Sequence, residues 1–297
     1  MIETFQQALP HGITLSCRAA GERGRPVLMF LHGFPEAAFA WDEMLEHFSR
    51  PQNGGYRCIA PNLRGYEKSS QPREVELYLT KHVMRDVAAL IELQGAPIEC
   101  LVAHDWGGAS AWTLANKMPQ LIRKLAIINS PHPGTFLREL KSSPKQQQAS
   151  GYMNFLIRPD AEDLLRANGY ERLFKFLALR DAEKGWLTAD MKRKYVEVWD
   201  MSLTGGLNYY RASQLRPPRP EDPAAAKMEV PREALLVKVP TLVLWGMDDT
   251  ALPPELVDGL GDYVSDLTLE RVPGATHWII HERPAFVAER LGAFLER

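Results

Sequence analysis

The chain has 297 residues, 45% of them hydrophobic and 24% charged. This composition is close to that of ordinary globular proteins and excludes a disordered or fibrous chain. Lys and Arg number 35 against 37 Asp and Glu, a formal charge of -2 that gives no electrostatic reason to bind nucleic acid or an anionic membrane. Cys17, Cys58 and Cys100 lie in apolar runs without paired spacing, and no signal peptide or membrane-spanning run is evident, so we expect a cytoplasmic protein.

Short β-rich segments alternate with helical patterns through the N-terminal half. Strands are predicted at residues 13–18, 27–31, 56–60, 98–103 and 125–129. Helices are predicted from Thr80, a candidate N-cap, and over residues 108–117. Strands and helices that alternate in this way predict a mostly parallel sheet covered by helices on both faces.

The pattern changes after residue 134. Residues 135–227 show helical periodicity and end in the proline-rich segment 216–223, which no helix or central strand would tolerate. Alternation then resumes, with strands at 241–245 and 267–272 and helices at 254–260 and from 284 to the C-terminus. We therefore predict one α/β domain, formed by residues 1–134 and 228–297, into which a helical cap of residues 135–227 is inserted.

The segment Val102-Ala103-His104-Asp105-Trp106-Gly107-Gly108 joins a predicted strand to a predicted helix with almost no turn between them. A side chain at the apex of such a turn projects over the end of the sheet, and small flanking residues relieve the crowding of the backbone. This is the pattern of a nucleophile elbow, here with Asp105 at the apex. Taken alone, the pattern fits equally well a turn in which Asp105 caps the helix.

His32, Gly33, Phe34 and Pro35 follow the first buried strand, where the second half of an oxyanion hole is expected. The backbone amides of Phe34 and Trp106 would then stabilise negative charge on one oxygen. A simple Gly-Pro turn explains the glycine and the proline, but not their place relative to the elbow.

Two titratable residues follow later strands. Asp249 lies just past the strand at 241–245, and His277 lies past the strand at 267–272. Ligands bind at this edge of open parallel sheets. Nucleophile, acid and base occur in that order along the chain in enzymes with such an elbow, which favours an Asp105–Asp249–His277 triad. The adjacent Asp248 is the less favoured acid.

Together these residues resemble the α/β-hydrolase fold, and specifically its epoxide hydrolase branch, over nearly the whole chain. The resemblance implies an eight-stranded, mostly parallel sheet with a helical cap. His32, Gly33, Phe34 and Pro35 match the HGxP oxyanion motif, and Asp105, Asp249 and His277 match the family's nucleophile, acid and base. Residues 62–67 resemble the family loop D-x-R-G-x-G-x-S but carry Asn62 for its Asp and Glu67 for its second Gly.

The same resemblance implies two cap tyrosines that protonate the epoxide oxygen. Tyr210, in Leu207-Asn208-Tyr209-Tyr210-Arg211, matches the second of them, and Tyr152 lies in the place of the first. Tyr209 is the fallback for Tyr210. Otherwise each tyrosine would be an amphipathic cap residue with its hydroxyl at the surface.

An aspartate nucleophile favours a particular reaction. A serine would form an acyl-enzyme, whereas a carboxylate is suited to attack on an sp³ carbon that bears a leaving group. The sequence thus predicts an epoxide hydrolase that converts a small apolar epoxide and water into a vicinal diol. It predicts no cofactor, no metal, and no binding to nucleic acid or membrane, and it leaves room for a homodimer.

Two alternatives stay open. A haloalkane or haloacid dehalogenase would use the same Asp105 nucleophile, with Trp106 as a halide donor. Phe34 stands where many haloalkane dehalogenases carry a side-chain donor, and Trp106 stands where fluoroacetate dehalogenases carry Arg. Both departures favour an epoxide. A non-catalytic small-molecule receptor is the third reading, but binding alone would not require the base His277.

Overall fold

One mixed sheet organises the described part of the chain, residues 1–177 and 185–297 of a computed structural model. Its eight strands have the order β1-β2-β4-β3-β5-β6-β7-β8. They are β1 (Glu3–Ala8), β2 (Thr14–Ala20), β3 (Val27–Leu31), β4 (Arg57–Pro61), β5 (Ile98–His104), β6 (Ile122–Ile128), β7 (Thr241–Gly246) and β8 (Leu267–Val272). β2 is antiparallel to β1 and β4, and the other neighbours are parallel. The mostly parallel sheet predicted from the sequence is confirmed.

Helices cover both faces of this sheet. The helices of the sheet-bearing part are α1 (Asp42–Phe48), α2 (Thr80–Leu93), α3 (Asp105–Lys117), α9 (Ile279–Glu282) and α10 (Pro284–Leu295). Between β6 and β7 lie α4 (Pro133–Ser142), α5 (Pro144–Ala149), α6 (Gly151–Leu156), α7 (Ala161–Leu177) and α8 (Ala189–Ala212). We refer to the segment from 135 to 227 as the cap; this division of the chain, and that into core residues 1–134 and 228–297, is a sequence-based prediction.

The central strands are buried on both faces because alternate side chains enter different apolar clusters. In β3, Met29 and Leu31 belong to the cluster that includes α2 and α3. Leu28 and Phe30 belong to the second cluster, which includes α1 and α10. Side chains alternate between the two faces of a strand, so an uninterrupted apolar run is what a strand between two layers requires.

Some local predictions are wrong. Thr80 is the first residue of α2 and makes no capping hydrogen bond; Leu79 occupies the N-cap. The helix predicted over 254–260 is instead two 3₁₀ turns, Pro254–Val257 and Leu260–Asp262, separated by Gly259 with φ +72°. The edge strand β1 lacks a strong apolar pattern, since its side chains are mostly exposed, and the sequence did not predict it.

Candidate active site

Asp105 occupies the tight turn between β5 and α3, with a φ of +48°. A non-glycine residue in this region of φ is strained, and such strain is typical of a nucleophile elbow. The turn is tolerated because its neighbours are glycines. A Cβ on Gly33 would lie 2.2 Å from the Asp105 Cβ, and one on Gly107 would lie 2.6 Å from the Leu31 carbonyl oxygen. The helix therefore begins at Asp105, earlier than predicted, and the carboxylate lies above the end of the sheet.

One oxygen of the carboxylate is already held by the backbone. The Phe34 amide donates to Asp105 Oδ1 at 2.7 Å. In the described part of the chain, the Trp106 amide does not donate a hydrogen bond to this oxygen. The Trp106 amide is nevertheless one of the first in α3, which find no acceptor within a helix. The Phe34 amide thus lies where one predicted oxyanion donor is expected, and the Trp106 amide, at the N-terminus of α3, stays a predicted donor.

The motif around Phe34 is fixed by a neutral histidine. Burial lowers the pKa of His32 to about 4. Its Nε2 accepts from the Leu63 amide at 3.1 Å, so Nδ1 carries the proton that is donated to the Gly33 carbonyl at 2.9 Å. Pro35 lies on the far side of Phe34, and its carbonyl accepts a hydrogen bond from Trp199. His32 and Pro35 therefore shape the loop, and Gly33 leaves room beside it for the Asp105 side chain.

Asp249 and His277, the predicted acid and base, lie beside Asp105 at the same edge of the sheet. His277 Nδ1 lies 2.7 Å from Asp249 Oδ2, and His277 Nε2 lies 3.8 Å from Asp105 Oδ2. The amides of Ala251 and Leu252 donate to the other Asp249 oxygen at 2.9 and 2.8 Å. Asp249 is thereby oriented toward the imidazole and buried, while the alternative acid, Asp248, is exposed.

The charge around His277 favours its protonated form. Burial alone lowers the pKa of this imidazole, but Asp249 and then Asp105 and Glu36 outweigh burial and raise it to about 9. The resting histidine therefore carries a proton at neutral pH. Because Asp105 is one of the causes, neutralising that carboxylate lowers the proton affinity of the base.

Tyr210 and Tyr152 lie across the cavity from Asp105. Their ring centroids are 6.0 Å apart, and the Tyr210 ring packs edge-on against Trp106 at 5.0 Å and Phe34 at 5.2 Å. Burial raises the pKa of both phenols, so each carries its proton at neutral pH and is able to donate it. Both tyrosines are thus brought to the site.

The neighbouring Tyr209 has a different environment. Its hydroxyl donates to the Arg64 carbonyl at 2.9 Å, and its ring packs on Tyr66 and Tyr78. Tyr209 holds the cap to the core, and the fallback assignment is not supported by its geometry.

Two glycines in α8 allow Tyr210 to come this close. A Cβ on Gly205 would lie 2.1 Å from the Gly65 carbonyl oxygen, and one on Gly206 would lie 3.0 Å from the Phe34 ring. The helix backbone therefore rests directly on the loop that follows β4. Tyr210 lies one turn further along α8, above the nucleophile.

The space between these groups is mostly apolar. A cavity of about 150 Å³ is bounded by Asp105, both tyrosines and Trp106. Its remaining wall includes Ala109, Thr113, Phe136, Met153, Leu215 and Leu252. Such a lining is suited to a neutral apolar molecule whose reactive carbon meets the carboxylate.

The described residues form neither a metal-binding cluster nor a membrane-spanning helix. No cluster of three or more His, Cys, Asp or Glu side chains there is arranged to bind a metal ion. None of the helices in the same residues is long and apolar enough to cross a membrane.

Comparison with known proteins identifies the family of this chain. The family model of the alpha/beta hydrolase fold matches residues 26–284. The chain is 33% identical to epoxide hydrolase 3 of Xenopus tropicalis over 96% of its own length and 75% of that protein. It is also 33% identical to the AB hydrolase superfamily protein YfhM of Bacillus subtilis, over 96% of each chain. The chain belongs to the epoxide hydrolase branch of the α/β-hydrolase family.

Solved structures support the same assignment. A Bacillus megaterium epoxide hydrolase in complex with an inhibitor has a TM-score of 0.89 and 30% identity, over 99% of this chain and 100% of that one. An epoxide hydrolase from metagenomes of hot environments has a TM-score of 0.88 and 35% identity, over 99% of both chains. Membership in this family makes the protein a hydrolase with an α/β-hydrolase fold.

Asn129 was not predicted from the sequence. It is buried directly after β6 and has a φ of +39°. Its side-chain Nδ2 donates to Asp249 Oδ2 at 2.8 Å, and its side-chain Oδ1 accepts from the Gly246 amide at 2.8 Å. Asn129 therefore links Asp249 to Gly246, where the loop that carries Asp249 begins. The available signal was a polar residue at the end of an otherwise apolar strand.

A buried Glu36 was missed as well. Its Oε1 accepts from Tyr195 at 2.8 Å and lies 2.5 Å from His281 Nε2, and its Oε2 lies 3.3 Å from His104 Nδ1. His104 in turn contacts the His277 carbonyl oxygen at 2.9 Å. A carboxylate directly after the oxyanion motif was the signal in the sequence.

The atypical loop after β4 keeps a carboxylate at its centre, supplied from a different position. Glu67, at φ +49°, folds back so that its Oε2 accepts from Ser16 at 2.6 Å and from Asn62 at 2.9 Å. Asn62 in turn accepts from the Ala38 amide at 2.8 Å. The two departures from the family pattern therefore compensate each other.

Proposed function

We propose that this enzyme opens an apolar epoxide to a vicinal diol through a covalent ester on Asp105. The observation that carries the proposal is the pair of neutral phenols, Tyr152 and Tyr210, across an apolar cavity from a carboxylate within 3.8 Å of His277. An epoxide oxygen leaves as an alkoxide and therefore needs a proton from a donor such as a phenol, whereas a halide leaves without being protonated.

In the first half-reaction, Asp105 Oδ2 attacks a ring carbon and the bond from that carbon to the epoxide oxygen breaks. Oδ2 is assigned as the attacking atom because Oδ1 already accepts from the Phe34 amide. One of the two phenols, Tyr210 or Tyr152, transfers its proton to this oxygen as the bond breaks, while the other donates a hydrogen bond to it. The phenolate that remains takes a proton, through solvent, from the protonated His277, which leaves that imidazole neutral. The intermediate is a hydroxyalkyl ester that holds every atom of the epoxide.

In the second half-reaction, water attacks the ester carbonyl carbon of Asp105. His277 accepts the proton from that water, and Asp249 stabilises the imidazolium that forms. Negative charge develops on Oδ1, where the Phe34 amide, joined by Trp106, stabilises it. The ester C–O bond then breaks, and the remaining proton of the attacking water passes to the departing alkoxide. The diol leaves, Asp105 becomes a carboxylate again, and His277 is protonated as in the resting enzyme.

The apolar walls support a small apolar epoxide as substrate, with water as co-substrate. A related mutant Bacillus megaterium epoxide hydrolase is known in complex with its diol product, (R)-3-[1]naphthyloxy-propane-1,2-diol. By analogy we propose epoxides with one apolar arm. The free, buried state of Cys17, Cys58 and Cys100 supports a cytoplasmic location, which stays a prediction.

The decisive experiment stops the reaction after its first half. His277→Gln is incubated with styrene oxide and analysed by intact mass spectrometry and peptide mapping. We expect a gain equal to the whole mass of the epoxide, located on Asp105, since ring opening expels no fragment. The double variant with Asp105→Asn is the control and should gain nothing.

Other outcomes separate the alternatives. Absence of an adduct with several epoxides, together with halide release from haloalkanes by the unsubstituted enzyme, would establish the dehalogenase instead. Binding of epoxides without diol formation by the unsubstituted protein would indicate the receptor.

A further inference from the structure

The first half of α8 is hydrogen-bonded to the oxyanion loop, which we define as residues 32–36. The Tyr195 hydroxyl donates to Glu36 Oε1 at 2.8 Å, and the Trp199 indole N–H donates to the Pro35 carbonyl at 2.7 Å. Tyr195 is 0% exposed and Trp199 2%. Water does not compete for these bonds, and each joins a cap side chain to the core.

These two bonds hold the loop immediately after Phe34, whose amide binds Asp105 Oδ1. The loop before Phe34 is held by the core itself, through His32 and the Leu63 amide. The position of the Phe34 N–H therefore depends on the core before Phe34, and on both the cap and the core after it, since Glu36 Oε1 also lies 2.5 Å from Nε2 of the core residue His281.

The cap side of this arrangement is rigid. The rings of Tyr195 and Trp199 stack at 5.4 Å with an interplanar angle of 29°. Phe39 packs edge-on against Tyr195 at 5.0 Å, and Phe174 packs against Trp199 at 5.0 Å. Aromatic pairs at these distances attract each other beyond the burial of their area, and this packing favours a single position of the two donors.

We propose that Tyr195 and Trp199 are positioning residues for the oxyanion hole and act mainly on hydrolysis of the alkyl-enzyme. The inference rests on the covalent mechanism proposed above. During hydrolysis, charge grows on Asp105 Oδ1, and the Phe34 amide must follow that atom as the ester carbon becomes tetrahedral. During ester formation, charge leaves the carboxylate, so a displaced amide has less to stabilise in that transition state.

One helix would thereby serve both half-reactions. A kink at Ser202, where φ is -148°, divides α8. The part after the kink carries Tyr210, which protonates the epoxide oxygen, and the part before it holds the loop that stabilises the oxyanion. Docking of α8 on the core would complete the acid and the oxyanion hole together.

The test removes each hydrogen bond while an aromatic ring is kept. Tyr195→Phe and Trp199→Phe are mixed with excess styrene oxide in a rapid-quench instrument, and the ester on Asp105 and the diol are followed separately. We expect hydrolysis of the ester to slow about tenfold, less than the loss typical for deletion of an oxyanion donor, while ester formation changes less than about twofold. The ester should therefore accumulate in these variants beyond its level in the unsubstituted enzyme.

Matched controls remove an equivalent group away from the loop. Tyr170 is a cap tyrosine whose hydroxyl bonds Asp200, and Tyr170→Phe should leave the partition between the two steps unchanged. Trp41 is buried and its indole N–H has no partner among the described residues, so Trp41→Phe reports the effect of a smaller ring alone. Melting temperatures are measured for all four variants.

The inference would be overturned if Tyr195→Phe and Trp199→Phe slowed formation and hydrolysis of the ester equally. It would also be overturned if the ratio of these two rates were the same as in the controls. If His277→Gln forms the adduct and this second result is negative, only the positioning role fails. If no adduct forms with His277→Gln, the covalent mechanism fails and the positioning role fails with it.

Discussion

The sheet edge and the cap place their reactive groups by different physical means. Asp105, Asp249 and His277 each follow a parallel strand, and the strands β5, β7 and β8 are locked in register by backbone hydrogen bonds. Tyr152 and Tyr210 lie on helices without strand neighbours, and their positions depend on side-chain packing and on the close approach of Gly205 to Gly65. The edge is thus determined mainly by backbone geometry, and the cap by its contacts with the core.

The largest effect is expected at the sheet edge. Asp249→Asn keeps the shape of the side chain but removes the charge that stabilises protonated His277. We expect hydrolysis of the alkyl-enzyme to slow about 10⁴-fold, as when the acid of a comparable triad is neutralised. Single-turnover formation of diol measures this rate.

Asp248→Asn is the matched control for that change, because it alters the same loop at an exposed position. It should retain activity close to that of the unsubstituted enzyme. Comparable losses in the two variants would show that the loop matters as a whole and that Asp249 is not the specific acid.

A smaller effect is expected in the cap, where one phenol can partly replace the other. Tyr210→Phe should slow ester formation about 100-fold, the lower range for loss of a general acid, since Tyr152 remains. Tyr209→Phe removes a hydroxyl from the next residue but leaves the Arg64 carbonyl without its buried donor. It should cost about 1 kcal/mol of unfolding free energy and leave ester formation nearly unchanged.

Rapid-quench measurement of the ester and chemical denaturation together test this pair. If Tyr209→Phe slowed ester formation as much as Tyr210→Phe, the proton donor would not be assigned to Tyr210. Both variants remove a hydroxyl from a buried tyrosine of α8. They differ in the side of α8 on which that hydroxyl lies.

The same contrast explains what the sequence could predict. Asp105, Asp249 and His277 were found because each follows an apolar strand, and the ends of parallel strands meet at one edge. Asn129 contacts Asp249 from 120 residues away, and Glu36 meets Tyr195 across 159 residues. Such pairings have no local pattern, since they depend on how distant elements pack.

The loop after β4 illustrates a related limit. Asn62 and Glu67 are both departures from the family pattern, and the sequence shows no relation between them. Only the structure brings the Glu67 carboxylate back onto Asn62 and Ser16. A sequence compared position by position does not reveal that a charge has moved within a loop.

The smallest expected effect concerns the coupling between nucleophile and base. Asp249 and Asp105 raise the pKa of His277 to about 9, and Asp105 loses its charge once it is esterified. The proton affinity of His277 should therefore fall in the ester, so that the base becomes available when water must be deprotonated. Asp105→Asn imitates the loss of this charge without substrate, and NMR titration of the imidazole should give a lower pKa than in the unsubstituted enzyme.

Stability should report the same coupling with a defined sign. A histidine whose pKa is raised on folding stabilises the protein fully below its unfolded pKa of about 6.5, and this stabilisation is lost as the pH rises through the folded value of about 9. Chemical denaturation at about pH 6.5 and about pH 9 gives the unfolding free energy at each pH. The decrease in this free energy between the two should be smaller for Asp105→Asn than for the unsubstituted enzyme. An unchanged imidazole pKa in Asp105→Asn would mean that Asp249 and Glu36 set the charge of His277 without Asp105, and that esterification does not by itself free His277 to accept a proton.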